Sequence, residues 1–532
     1  MSDVQRLVRS GAERVDGVLE QGIERLSAAA GGSARLRVII VLASVLGLDS
    51  ADQGAIGAVA PALERSLRIS NVELGLLVTV TSLVGAIATI PLGSRVDHTN
   101  RVRLLMAAVI TWAIAEAASA ASVDYAMLLA TRVALGAVTA AAAPAVASLT
   151  GDLFPAAERG RIYGVIITGE LLGAGFGVLV SGLVAGWFGW RPALAILALP
   201  SFLVAAALWR YLPEPARGGK SWIVEGAEHI PGTPEHPEGS TASTAAPKPA
   251  AGEAPASIAE VVRAEGVKPE EEIVVDGGAH NWGLREAVRY VLRVRTNVVM
   301  IVASSLGYFF FAGLKTFAVL FVRGHFGISQ GLTIMLVLIV GGGAALGVIF
   351  GGRLTDKMIA RHHLTARVDL GIVGYAVAAL LLAPAMVTTF LPFAAPLMVI
   401  AAAGIAAPNA TLDAARLDVV PAQLWGRAEA VRTVMRTVLE AFAPLIFGAL
   451  SELFGSSSGG FGVVGGGLHS APGSAPELNG LADAFLLMLI PLAASGIMLI
   501  AARRSYPTDV ASAAASQRRI DAAMRPKRPA NA

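Results

Sequence analysis

The sequence predicts an all-α membrane protein whose twelve transmembrane helices form two pseudo-symmetric six-helix bundles. Three observations carry this reading. Of the 532 residues, 55% are hydrophobic and only 15% charged, against about 25% charged in a soluble protein. Twelve apolar stretches are each long enough to cross a bilayer core of about 30 Å. The second six of them repeat local patterns found in the first six. A soluble chain of this length would form about three domains, whose surfaces need far more charge, so a soluble multi-domain enzyme is excluded. Cysteine is absent, which removes disulfides, thiolate metal sites and cysteine nucleophiles. The net charge is +3, and the basic residues lie between apolar runs rather than along one stripe, so nucleic acid is not an expected partner.

The predicted spans are 36–62, 72–94, 103–122, 125–149, 161–186 and 192–211 in the first half. In the second half they are 297–322, 330–353, 367–390, 392–415, 428–453 and 482–502. The first span follows a charged stretch and is too long for a cleavable signal peptide. Cytoplasmic loops carry the excess of Lys and Arg. Placing both termini in the cytoplasm puts 36 of the 42 basic residues there, four outside (Arg65, Arg68, Arg191, Arg323) and two within spans (Arg132, Lys315). The opposite orientation inverts this bias. The expected setting is therefore the plasma (inner) membrane of the cell, with both termini cytoplasmic.

Between the halves lies a cytoplasmic linker, 212–296. Its middle, Gly232 to Ala256, is too poor in large apolar residues to fold alone. Near its end, 283–295 spaces Leu284, Val288, Val291 and Leu292 at helical intervals beside Arg285, Arg289 and Arg293. This is an amphipathic pattern suited to the membrane interface or to the protein's own surface. The N-terminal segment 1–35 carries a similar stripe from Val4 to Leu26. The last two spans are joined by an external Gly/Ser-rich loop, 454–481, and 504–532 forms a cytoplasmic tail.

The repeat is visible in the loops. Asp152…Pro155…Gly160-Arg161 recurs as Asp418…Pro421…Gly426-Arg427, offset by 266 residues. Gly93…Asp97, followed by Arg101 and Arg103, recurs as Gly352…Asp356, followed by Lys357 and Arg361. Two matches in equivalent loops indicate a parallel repeat, an arrangement that places a substrate site between its halves. The Gly93…Asp97…Arg101…Arg103 loop resembles the hallmark motif of the major facilitator superfamily, and Arg132…Gly136 resembles a second motif of that family. Leu48-Asp49-Ser50-Ala51-Asp52, Phe154…Gly160, Gly189-Trp190-Arg191 and Asn409 followed by Asp418…Pro421 resemble its spinster-like branch. Asp49, Gln53 and Thr139 stand where that branch usually carries Asn, Arg and Glu. The resemblance implies the major facilitator fold, alternating access, lysolipid-type amphiphiles as a substrate class, and a gating role for Gly93, Asp97, Arg101, Arg103, Gly352 and Asp356.

Charge inside a span is costly and marks function. Asp49 and Asp52 share one face of the first span. Helix rise puts Asp49 and Arg132 at about the same depth, which predicts an Asp49–Arg132 pair. Asp49, Asp52, Glu170 and Glu440 are the candidate proton-coupling residues. Arg132, Lys315, Asn409 and Phe310 are the candidates for a substrate cavity. Lys315 needs either a carboxylate, for which Glu440 is available, or an anionic substrate. Glu440 also has Arg436 and Arg432 on its own helix face. Glu116 in the third span has no assigned role.

No catalytic constellation or zinc spacing appears: His362-His363 stands alone, and Gly218-Gly219-Lys220-Ser221 lacks the first glycine of a phosphate loop, Glu214 standing there. The expected protein is a monomeric, cofactor-free secondary transporter, driven by protons, in contact with the lipid bilayer and a small amphipathic organic substrate. A multidrug exporter, an organic-anion importer and a non-transporting receptor or scaffold of the same fold are the alternatives.

Overall fold

A computed structural model describes residues 21, 24–28, 30–154, 159–215, 223, 258–275, 282, 284–421, 424–456 and 476–524. The first half comprises α1 (Ser33–Leu67), α2 (Asn71–His98), α3 (Arg101–Ala120), α4 (Tyr125–Thr139), α5 (Ala142–Leu153), α6 (Arg159–Phe188) and α7 (Trp190–Tyr211). The linker contributes α8 (Ile258–Ala264) and α9 (Leu284–Arg293). The second half comprises α10 (Arg295–Phe326), α11 (Gln330–Ala360), α12 (Ala366–Val387), α13 (Leu391–Asp418), α14 (Trp425–Ser456) and α15 (Pro476–Met524).

Eleven stretches among the described residues are long and apolar enough to cross a membrane, with α4 and α5 together forming one. The twelfth span is α1, which carries Asp49 and Asp52 and is buried along most of its length. Large apolar side chains such as Leu203, Leu380 and Ile497 are more than two-thirds exposed on the outside of the bundle, the arrangement a lipid solvent requires.

Local sequence explains several boundaries. Ser70 and Glu73 form a reciprocal capping box at the start of α2, Ser70 N–H donating to the Glu73 carboxylate and Glu73 N–H to Ser70 Oγ. The fourth span, predicted as one helix, is interrupted at Ala140–Ala141. Pro144 has no N–H to donate to the carbonyl of Ala140, four residues earlier. The last helix continues past the predicted span end at 502 to Met524 and has 49 residues in all, about 74 Å at 1.5 Å per residue. Roughly half of it therefore lies beyond a 30 Å core.

The residues read as a cytoplasmic tail from 504 are thus helical to Met524, and linker segments pack on them. Glu270 and Val275 N–H donate to Ser512 and Ser516 Oγ, at 2.8 and 2.9 Å. Asp509 accepts from Thr296 N–H at the start of α10, supplying the cap that Val294 lacks. The linker's other end is pinned to the first half. The Glu214 carboxylate accepts from Arg101 Nε and Val102 N–H, and Ile223 N–H donates to the Leu153 carbonyl. The segment 232–256 and the stripe from Val4 to Ile23 lie outside the described residues, as does most of the loop 454–481.

The internal repeat extends to contacts. Arg101 pairs with Asp152 in the first half, and Arg367 with Asp418 in the second. Both members of the second pair are offset by the same 266 residues that separate the loop motifs.

The halves meet through α1 against α10, α2 against α14, and α6 against α11. Within the first half, α1 lies closely against α6. A Cβ added at Gly47 would come within 2.9 Å of the Gly169 carbonyl oxygen, so only glycine allows this approach. At the end away from the chain termini the halves are joined directly. Asn71 Nδ2 donates to Ser451 Oγ, Val72 N–H to Glu452, and Gln330 Nε2 to the Ala58 carbonyl.

Candidate functional site

Two sets of charged residues and one cavity occupy the middle of the bundle. The first set is buried between α1, α3 and α4. Arg132 donates to Asp52 Oδ1 at 2.7 Å and to Glu116 Oε2 at 3.2 Å. The side chains of Arg132, Asp52 and Glu116 are 1%, 5% and 0% exposed. The predicted Asp49–Arg132 pair is therefore replaced by a pair one helical turn further along α1. Depth alone could not decide between Asp49 and Asp52, because both lie on one face and the direction of α4 decides which meets Arg132.

Asp49 joins a different chain of contacts. Lys315 Nζ donates to Gln53 Oε1 at 2.8 Å, and Gln53 Nε2 donates to Asp49 Oδ2 at 3.0 Å. Gln53 is one turn from Asp49 and bridges the two halves. Backbone packing brings Lys315 here: a Cβ at Gly57 would meet the Lys315 carbonyl oxygen at 2.5 Å, so the missing side chain lets α10 settle on α1. Among the described residues no carboxylate is ion-paired with Lys315; the Glu440 partner expected as one option is instead beside Arg436, at 3.8 Å.

The cavity has a volume of about 380 Å³ and is enclosed by α1, α6, α10, α11, α12 and α13. Its described walls are apolar or small side chains, Leu171, Leu172, Phe311, Leu314, Met386 and Met398 among them, with Lys315 as the single charged one. Phe310, expected here, is fully buried and turns into an aromatic cluster with Phe447 and Phe485. Its neighbour Phe311 lines the cavity instead. Asn409 is buried and accepts a hydrogen bond from Tyr375 at 2.7 Å, so it lies behind the cavity wall.

The second charged set belongs to α13 and α14. Asp413 accepts from Arg416 at 2.6 Å and from Arg432 at 3.3 Å. Arg436 lies over the Tyr308 ring, 4.5 Å from its centroid, and beside Glu440. Exposure in this set is mixed: the Arg416 and Arg432 side chains are 5% and 8% accessible, and those of Asp413, Arg436 and Glu440 25–33%. Glu170 is exposed on α6 and lies within electrostatic reach of Arg436 and Lys315, so it faces the second half across the middle of the molecule.

The residues of the two repeated motifs separate. Arg101 is fully buried, held by Asp152, Glu214, Ser148 and the Pro215 carbonyl. Arg103 and Asp356 are exposed, and Gly352 has open space around its Cα. The side chains of Gly93 and Asp97 lie outside the described residues.

Glu116, Gln53, Asp413 and Tyr308 were missed as site residues by the sequence reading. A third acid within reach of Arg132 was the available signal for Glu116. Gln53 lies one turn from Asp49, which is a weaker hint. Nothing in the sequence singles out Asp413 or Tyr308.

Residues 42–444 match the family model described as the Major Facilitator Superfamily. The chain belongs to the Major Facilitator Superfamily. Among solved structures, a bacterial homologue of the human lysosomal transporter Spinster, in an inward-facing and occupied conformation, superposes with a TM-score of 0.67. It shares 19% identity, covering 90% of this chain and 99% of that one. A D-xylose–proton symporter superposes with a TM-score of 0.59 at 15% identity, over 88% of this chain and 97% of that one. At these identities the likeness shows the fold. The 4-hydroxybenzoate transporter of Pseudomonas aeruginosa is 29% identical over 181 residues, 34% of this chain and 40% of that relative. A citrate exporter of Aspergillus niger is 30% identical over 160 residues, 30% of each chain. The chain thus aligns with less than half the length of these curated relatives, all named as transporters rather than enzymes.

Proposed function

We propose that this member of the superfamily is a proton-coupled secondary transporter of the inner membrane, with cytoplasmic termini, that moves an amphipathic organic anion by alternating access. A single-tailed lipid anion of lysolipid type belongs to that class. One observation carries the substrate reading: a cavity of about 380 Å³ walled by apolar side chains presents one charge, the Lys315 ammonium. Small-molecule sites have about this volume and pair apolar walls with a few placed polar groups. An anionic headgroup at Lys315 and an apolar body against Phe311, Leu314 and Met398 satisfy both features. Relatives named for 4-hydroxybenzoate, gallate and citrate carry carboxylate substrates, in keeping with an anion.

The contacts of Lys315 also suggest how proton and substrate are linked. Its ammonium is tied to Asp49 through Gln53. An anion that takes up Lys315 withdraws a cation from the neighbourhood of Asp49, and that carboxylate then holds a proton more readily. Anion and proton accordingly travel in the same direction. Closure at the end away from the termini corresponds to an inward-facing state. The Gly93–Asp97 segment, which is the helical end of α2 rather than a loop, governs with Arg101 the closure of the other end.

The test is transport by the purified full chain in proteoliposomes with an imposed pH gradient. The probes are 4-hydroxybenzoate, citrate, a lysophospholipid anion and a neutral amphiphile of matched size. Accumulation of an anionic amphiphile that collapses with the gradient supports the proposal. Movement of the neutral probe alone, or no response of any probe to the gradient, overturns it.

A further inference from the structure

The buried set at Arg132 contains one cation and two carboxylates, Asp52 and Glu116, and the transport cycle above uses neither acid. All three side chains are at least 95% buried. With both acids ionised the group would carry a net negative charge in the dry interior of the first half. The cost of such a burial is several kcal/mol per uncompensated ion, and two carboxylates in one site do not both ionise readily.

The geometry shows where a proton fits. Glu116 Oε2 accepts from Arg132, while Glu116 Oε1 is buried with no hydrogen-bond partner among the described residues. The Asp52 carboxyl group lies within hydrogen-bonding range of Glu116. Two acceptor oxygens can face each other in an apolar interior only with a proton between them. The charged groups facing Glu116 are Asp52 from α1 and Arg132 from α4. No third charge among the described residues offers another route to neutrality.

We infer that Glu116 and Asp52 hold a single shared proton against Arg132, and that Glu116 is a proton-binding residue of the transport cycle. The inference rests on the proton-coupled reading above for its second clause only. The balance is simple. Glu116 is closed off from solvent, so its proton passes to the Asp52 carboxylate and on to Asp49, which shares that face of α1 and is partly exposed. Glu116 is left ionised, paired with Arg132, and no other bond changes.

The experiment has two arms, on the full chain reconstituted in lipid. Infrared difference spectra compare wild type with Glu116→Gln and with Asp52→Asn at neutral pH. The carbonyl band of a protonated carboxylic acid in apolar surroundings is expected in wild type and lost in both variants. In Asp52→Asn the remaining Glu116 has Arg132 to itself and ionises. Retention of the band in Glu116→Gln, or in Asp52→Asn, overturns the shared proton. This arm needs no substrate, so it reads the proton even if the substrate assignment fails. In the second arm, gradient-driven accumulation in Glu116→Gln falls roughly tenfold, a usual size for a lost coupling. Substrate counterflow without a gradient is retained, and Glu116→Asp restores gradient-driven accumulation. Loss of the band with wild-type accumulation overturns the role in the cycle, because the proton is then static. Equal loss of counterflow and accumulation, unrescued by Glu116→Asp, overturns that role as well.

Discussion

The two halves of the molecule carry their charges in opposite ways. In the first half, Arg132 faces two acids in a space almost closed to solvent. In the second, Asp413, Arg436 and Glu440 are a quarter to a third exposed, while Arg416 and Arg432 beside Asp413 are nearly closed off. The first arrangement has one cation for two acids where charge is expensive, and the inferred shared proton is what would balance it. The second keeps Arg436 and Glu440 where water can screen them, so their charges act on the middle of the protein without a buried-ion cost. Lys315 lies at the seam. It comes from the second half, points at Gln53 of the first, and opens on the apolar cavity.

The largest expected effect separates the dry set from the wet one by stability. Arg132→Ala leaves the Asp52–Glu116 pair without its cation, and breaking a buried pair typically costs about 3–5 kcal/mol. Arg436→Ala removes a partly exposed ion pair, worth about 0–1 kcal/mol. Thermal unfolding in detergent should show a large drop for the first variant and a small one for the second. Comparable drops would erase the distinction between the halves.

The next effect concerns the seam. Lys315→Ala should weaken binding of an anionic amphiphile by roughly tenfold to a hundredfold, the value of a charge-assisted hydrogen bond of about 1.5–3 kcal/mol. Binding of a neutral amphiphile of the same size should change little. Isothermal titration with the two probes checks this. Equal losses for both would mean that Lys315 serves helix packing and not the headgroup.

Much of this arrangement was legible in the sequence, and the illegible parts have a common cause. Apolar runs placed most spans within several residues, because a bilayer sets helix length directly, but they gave neither the break in the fourth span nor the length of the last helix. The loop motifs fixed the repeat, which reappears as the Arg101–Asp152 and Arg367–Asp418 pairs. Depth along a helix was also readable: Asp49, Asp52, Arg132 and Lys315 were all singled out and all lie in the middle of the bundle. Rotation about the helix axis was not readable. It decides that Asp52 meets Arg132, that Phe311 rather than Phe310 lines the cavity, and that Glu116 points inward from α3. Packing between helices sets rotation, and twelve apolar helices offer little pattern to distinguish one face from another. Glycine contacts such as Gly57 against Lys315 settle it only once the neighbours are known. The break at Ala140 was visible in Pro144, but many other prolines lie inside unbroken helices here, Pro61, Pro200 and Pro444 among them.

A third test sharpens the link between the halves. Asp49→Asn keeps the hydrogen bond from Gln53 and removes the charge. Gradient-driven accumulation should fall roughly tenfold, a typical coupling factor, while counterflow survives. Wild-type accumulation in this variant would leave the Lys315–Gln53–Asp49 chain as a packing contact and move coupling entirely to the dry set.

The smallest effect belongs to Glu440, and its sign is informative. Glu440→Gln keeps the size of the side chain and removes one of the two acids of the second-half belt among the described residues. Its partner Arg436 is a quarter exposed and retains the Tyr308 ring beneath it, so stability should change by less than about 1 kcal/mol. The belt becomes more positive, and Lys315 and Arg436 both act on the space that Glu170 faces. Affinity for an anionic probe should therefore rise by about twofold to threefold at low salt, a gain that water and ions keep small. Because those charges are partly solvated, the gain should fade by about 0.5–1 M salt, where the screening length shrinks to roughly 3–4 Å. The dry set should show no such salt dependence in the infrared band of its shared proton. A fall in affinity, or a tenfold change that persists in high salt, would place Glu440 in a buried site with Lys315 and make the two halves alike in how they hold charge.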